Sequence, residues 1–141
     1  MTGFLVDTNV ISELVKPKPE PRVVAWVDAA DEALLFLSVL TLGEIRKGIS
    51  TVQESRRRGN LESWLETALR PRFAGRVLAV DEDVADRWGR IAADAAQRRK
   101  PLPVIDALLA ATALHHDLML VTRNVADVAT TGVAVLNPWD F

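Results

Sequence analysis

Phe4-Leu5-Val6-Asp7-Thr8-Asn9-Val10-Ile11-Ser12-Glu13-Leu14 is the stretch on which the reading of this chain turns. Three consecutive apolar residues leave no polar face, as expected of a strand covered on both sides in a parallel sheet. Asp7 closes that run, and Thr8 and Asn9 start a helix directly behind it. Four more apolar runs of the same form lie at 34–37, 77–80, 118–121 and 133–136.

Helical periodicity fills the intervals. Leu42, Ile45 and Ile49 follow Thr41, a candidate N-cap with Glu44 at capping-box spacing. Leu61, Trp64, Leu65, Ala68 and Leu69 form a second apolar stripe, and Val84, Trp88, Ile91 and Ala95 a third. Pro101 and Pro103 separate that helix from the next, whose face is Ile105, Leu108, Leu109 and Thr112. Pro17, Pro19 and Pro21 form a stiff connector, and residues 71–75 break the helix containing Trp64. Strands alternating with helices from end to end predict an α/β fold, a parallel β-sheet sandwiched by α-helices, in one domain over residues 1–141.

Composition narrows the class. With 141 residues, 49% hydrophobic and 26% charged, the chain is long and apolar enough for one core and too apolar for disorder. A formal charge of −2 argues against holding nucleic acid by bulk electrostatics, so a bound polyanion must meet local basic patches or a cation. The absence of cysteine excludes disulfides, thiolate metal sites and a cysteine nucleophile. The first residues lack a basic leader region and no apolar run approaches the roughly 20 residues of a membrane span, which predicts a cytoplasmic protein without membrane contact. Phosphate-binding loops of the kinase type, dinucleotide-binding glycine motifs and the serine-hydrolase elbow are all missing from the sequence.

Ligands of open parallel sheets bind beyond the carboxyl ends of the strands. Asp7 lies at such an end, Glu44 and Asp106 lie in the opening turns of helices that follow strands or prolines, and Asn124 and Asp127 follow the strand at 118–121. Each alone is explained by helix capping or by the helix dipole. Together they set carboxylates toward one end of the sheet. Three carboxylates roughly 5 Å apart repel by about 3 kcal/mol per pair at an effective dielectric of 20, a cost that a divalent cation removes. Oxygen donors alone favour Mg²⁺ or Mn²⁺ over zinc. His115 and His116 are adjacent on one helix, cannot both reach one ion, and read as C-terminal surface residues.

In combination and order these motifs resemble PIN-domain ribonucleases, and among them the VapC and FitB type of toxin from toxin–antitoxin pairs. Leu5 to Leu14 resembles the first acidic motif of that family, Leu40-Thr41-Leu42-Gly43-Glu44-Ile45-Arg46-Lys47-Gly48 the second, Asp106-Ala107-Leu108-Leu109-Ala110-Ala111-Thr112-Ala113 the third, and Leu120-Val121-Thr122-Arg123-Asn124 the fourth. The likeness extends over nearly the whole chain, to Asn137-Pro138-Trp139. It implies a PIN-like domain and Mg²⁺- or Mn²⁺-dependent endonucleolytic cleavage of RNA. It also implies a homodimer and a cognate antitoxin as partners. Asp7, Glu44 and Asp106 become the catalytic and metal-binding set, with Asn124 or Asp127 as a further ligand; many members carry an aspartate where Asn124 stands. Thr8 and Thr122 are expected to orient ligands, and Arg46 and Arg123 to meet RNA or antitoxin carboxylates. Two other readings stand beside it: a metal-dependent nuclease of nucleic-acid processing, and a noncatalytic PIN-like or receiver-like Mg²⁺-binding module. Arg56-Arg57-Arg58, taken to precede a helix, and Arg98-Arg99-Lys100 read as solvated faces, and Trp26, Trp64, Trp88 and Trp139 as core or dimer packing.

Overall fold

The computed structural model describes residues 2–141. Its sheet has five parallel strands in the order β3-β2-β1-β4-β5: β1 is Phe4–Val6, β2 Leu35–Ser38, β3 Val77–Leu78, β4 Met119–Val121 and β5 Val135–Leu136. The helices are α1 (Thr8–Leu14), α2 (Pro21–Ala29), α3 (Val39–Ser50), α4 (Ser55–Trp64), α5 (Arg70–Arg72), α6 (Glu82–Gln97), α7 (Val104–His115) and α8 (Val125–Val128). The expected α/β sandwich is therefore present. β1 lies at the centre, paired with β2 through Phe4 and Leu35 and with β4 through Val6 and Val121. Chain order reverses between β1 and β4, which opens a crevice at their carboxyl ends.

Alternation along β1 explains the two halves of the core. Val6 faces a cluster with Val10, Ile11, Val23, Leu37, Ile45, Leu65 and Phe73, whereas Leu5 faces Leu109, Ala110, Ala113 and Leu120. Both clusters are closed to solvent, so the continuous apolar strand is explained by burial on both faces. In α7 the buried positions are mainly alanines, Ala107, Ala110, Ala111 and Ala113, which let that helix pack closely. Asp106 thereby stands on a rigid support.

Four local readings are corrected. β2 starts one residue later than expected because Glu32–Leu34 forms a 3₁₀ turn, capped by Asp31 accepting from the Ala33 amide. Pro21 belongs to no connector; it opens α2 at a position where its missing N–H costs nothing, and Val23 and Val27 bury the helix. The three arginines 56–58 lie inside α4, whose amides at Arg56 and Arg57 are capped by Glu54. The helix containing Trp64 continues past Pro71, because a π turn at Leu65–Leu69 precedes the proline and accommodates its lost hydrogen bond. The chain turns only at Gly75, with φ +80°. Gly75→Ala is expected to cost about 1 kcal/mol from the left-handed backbone alone, measurable by urea unfolding; no loss would contradict that assignment.

Candidate functional site

Asp7 follows β1 at the crevice and is only 5% exposed. Its Oδ1 accepts from the Thr8 amide at 2.6 Å, so the capping reading is correct for one oxygen. Its Oδ2 accepts from the Thr122 hydroxyl at 2.7 Å and from Asn9 Nδ2 at 3.4 Å. Thr122, just after β4, is fully buried and its oxygen also accepts from Asn9 Nδ2 and from the Asn124 amide. Parallel pairing of β1 and β4 thus places residues 7 and 122 side by side although 115 positions separate them. Burial raises the Asp7 pKa; the Thr122 and Thr8 hydrogen bonds oppose that rise, and the Glu44 charge adds to it.

Glu44 does not complete a capping box with Thr41. The N-cap of α3 is Ser38, whose hydroxyl accepts from the Leu40 amide, because the helix begins two residues before Thr41. Glu44 instead receives the Thr8 hydroxyl on Oε1 at 2.6 Å, and buried Thr41 stands 3.2 Å from the same hydroxyl. Asp7 and Glu44 are thus linked through one residue.

Asp106 occupies the first turn of α7, half-buried. Its pKa is pushed up to about 6, first by burial and then by the negative charges of Asp7, Asp127 and Glu44. Four acids from four separate elements therefore share one field. Asp127 is exposed in the first turn of α8; Asn124 is the exposed N-cap of α8 and makes no side-chain capping bond. The charge of Asp127 reaches Asp106.

The raised Asp106 pKa has a sign that can be checked. Between the ordinary carboxylate value of 3.8 and about 6, the folded protein retains a proton that the unfolded chain has released. Stability of the metal-free protein is then full below that window and falls as pH rises through it. Solvent access to Asp106 reduces the effect to about 1 kcal/mol. Unfolding of wild type and Asp106→Asn at pH 4 and pH 7 measures it: the variant gains relative stability only at the higher pH, and a pH-independent difference would contradict the shared field.

Arg46 is held by Glu66, in the π turn, which also meets Arg70. Its side chain makes no hydrogen bond or ion pair among the described residues with the four acids of the site. Arg123 does lie beside it: its amide approaches Asn9 Oδ1 at 3.4 Å, and its guanidinium lies over Trp139, 5.0 Å from the ring centre. His115 and His116 end α7 as expected, edge to face. Trp139 is buried, and Trp26 packs edge-on to Phe4, both in core roles. Two positioning residues were missed in the sequence. Asn9 bridges Asp7, Thr122 and Arg123, and its only signal was its place two residues after the strand-end acid; buried Thr41 was assigned to a cap.

The donor set is chemically suited to a hard divalent ion: carboxylates, hydroxyls and an amide, in a negative field that adds to burial in pushing the Asp106 pKa up to about 6. Among the described residues no three Asp, Glu or His side chains close into a cage by themselves. The fit is that of an open site, where water and substrate oxygens complete the coordination, as is usual for Mg²⁺.

A parallel α/β domain with an acidic crevice at its switch point defines the class. The chain belongs to the PIN domain family, whose pattern matches residues 4–126. It is 39% identical to Toxin FitB of Neisseria gonorrhoeae over 136 residues, 96% of this chain and 98% of that one. It is 37% identical over 137 residues to VapC ribonuclease Y4jK of Sinorhizobium fredii, 97% and 98% of the two chains. Among solved structures, a crystal structure of FitAcB from Neisseria gonorrhoeae superposes with a TM-score of 0.94 at 38% identity, covering 98% of this chain and 99% of that one. No helix among the described residues is long and apolar enough to cross a membrane.

Proposed function

We propose that this protein is the toxin of a toxin–antitoxin pair and acts as a Mg²⁺- or Mn²⁺-dependent endoribonuclease. The observation that carries the reading is the gathering of Asp7, Glu44, Asp106 and Asp127 from four elements into one field at the carboxyl end of the sheet. Relatives named toxin and ribonuclease over nearly full length support it.

Asp7 and Asp106 would hold the ion, with Asp127 or Asn124 adding a further oxygen. A bound Mg²⁺ or Mn²⁺ supplies a Lewis acid for the phosphodiester oxygens and acidifies an attacking water. Glu44 keeps one oxygen fixed by the Thr8 hydroxyl and leaves the other free to accept the proton of that water. Thr122 and Asn9 fix the Asp7 carboxylate so that it need not reorganise as charge builds on phosphorus. Thr8 ties the two acids together. An apolar groove of about 250 Å³, lined among others by Val15, Ile49, Leu61 and Trp64, runs to Glu44 and suits the antitoxin segment.

Incubating the purified protein with total RNA in Mg²⁺, Mn²⁺ or EDTA tests the activity. Cleavage is expected only with the metals, and weakens further when Asp127→Asn lowers metal affinity. Equal cleavage in EDTA would remove the metal from the account.

A further inference from the structure

An open cavity of about 550 Å³, a size within the range of ligand sites, is lined by Glu13, Lys16, Lys18, Glu20, Arg22, Arg123 and Trp139 among others. Four cations face two carboxylates there, in a chain whose overall charge is −2. The two acids are already engaged. Glu13, buried on α1, accepts from Lys16 Nζ at 2.8 Å and from the Glu20 amide at 2.9 Å, and Glu20 pairs with Arg22 at 2.7 Å. These bonds pin the strap of residues 16–20, stiffened by Pro17 and Pro19, against α1.

Lys18 and Arg123 are left exposed and, among the described residues, in no ion pair. Trp139 braces one face of the Arg123 guanidinium, which leaves its outer face and N–H fork free. Arg123 is also joined to the acidic site through Asn9, which itself bonds Asp7 and Thr122.

We propose that this cavity is the track of a single-stranded RNA leaving the cleavage site, with Arg123 and Lys18 each holding a flanking phosphate and Trp139 fixing the guanidinium. The inference rests on the ribonuclease reading above. Trp139 itself is covered, so the track reads the backbone and stacks bases on the guanidinium plane rather than on the indole. The arrangement favours RNA over an acidic protein segment because Arg123 is joined through Asn9 to Asp7, beside which the phosphodiester would lie.

The test measures anisotropy of a short fluorescent single-stranded RNA in EDTA, across salt concentrations, for the full-length protein and its Lys18→Glu, Arg123→Glu and Arg123→Lys variants. Arg90→Glu, on α6 outside the cavity, controls for net charge. Each reversal at Lys18 or Arg123 is expected to weaken binding about tenfold or more. The salt slope should fall by about 0.7 per lost phosphate contact, while Arg123→Lys recovers part of the loss and Arg90→Glu binds as wild type; in a separate cleavage assay with Mn²⁺ the reversals raise KM more than they lower kcat. A wild type that cuts RNA beside reversals that bind equally well overturns the track alone. Reversals that weaken antitoxin binding but leave RNA binding intact assign the surface to the protein partner and overturn it too. A wild type that neither binds nor cuts RNA overturns the ribonuclease reading and the track with it.

Discussion

Asp106→Asn is expected to abolish RNA cleavage, by on the order of 10³-fold, because a metal ligand's charge is worth several kcal/mol in the transition state. The same change is expected to leave the metal-free protein about 1 kcal/mol more stable at neutral pH. The two effects have opposite signs for one reason. Asp106 sits half-buried among Asp7, Asp127 and Glu44, where its charge opposes folding, and Asn keeps the shape while removing that charge. A side chain kept for the fold would lose stability and activity together. Single-turnover cleavage beside urea unfolding separates the cases; a destabilised variant that retains cleavage would reverse the assignment.

Thr122→Val is expected to destabilise the protein by about 2 kcal/mol, the usual worth of a hydrogen bond to a charged group. The hydroxyl is buried, donates to Asp7 Oδ2, and accepts from Asn9 Nδ2 and the Asn124 amide, so it joins β4, α1 and the turn before α8. Valine preserves the volume and branching but leaves that carboxylate oxygen with only the long Asn9 contact. The Asp7 pKa should rise further in consequence, shifting the acid limb of cleavage to higher pH. Thr122→Ser restores the hydroxyl and is expected to recover most of both losses. Valine stability within about 0.5 kcal/mol of wild type would contradict the role.

The strands and the acids at their ends were legible in the sequence because a doubly covered strand must be apolar throughout and must stop where the chain becomes polar. Asp7 showed itself that way. Its neighbour Thr122 could be suspected as an orienting residue, yet three-residue strands carry no register signal, so the adjacency of β1 and β4 became visible only in the fold. Glu44 illustrates a different obstacle. Its spacing from Thr41 fits a capping box, but Ser38 takes the N-cap and Thr41 is buried against Thr8 instead. Arg46 pairs with Glu66 from another helical segment 20 residues away, a partner that no local spacing indicates. Pro21 reads as connector beside Pro17 and Pro19, and the burial of Val23 and Val27, which makes it the start of α2, is a tertiary effect that no local signal carries.

In the proposed mechanism Asp7 and Asp106 hold a divalent ion. Titration of Mn²⁺ into wild type, Asp7→Asn and Asp106→Asn, followed by electron paramagnetic resonance of the free ion with folding verified by circular dichroism, tests it most directly. A wild-type Mn²⁺ site is expected whose affinity falls at least about tenfold in each variant, a loss of roughly 1.4 kcal/mol. Folded variants that bind Mn²⁺ as tightly as wild type would contradict it.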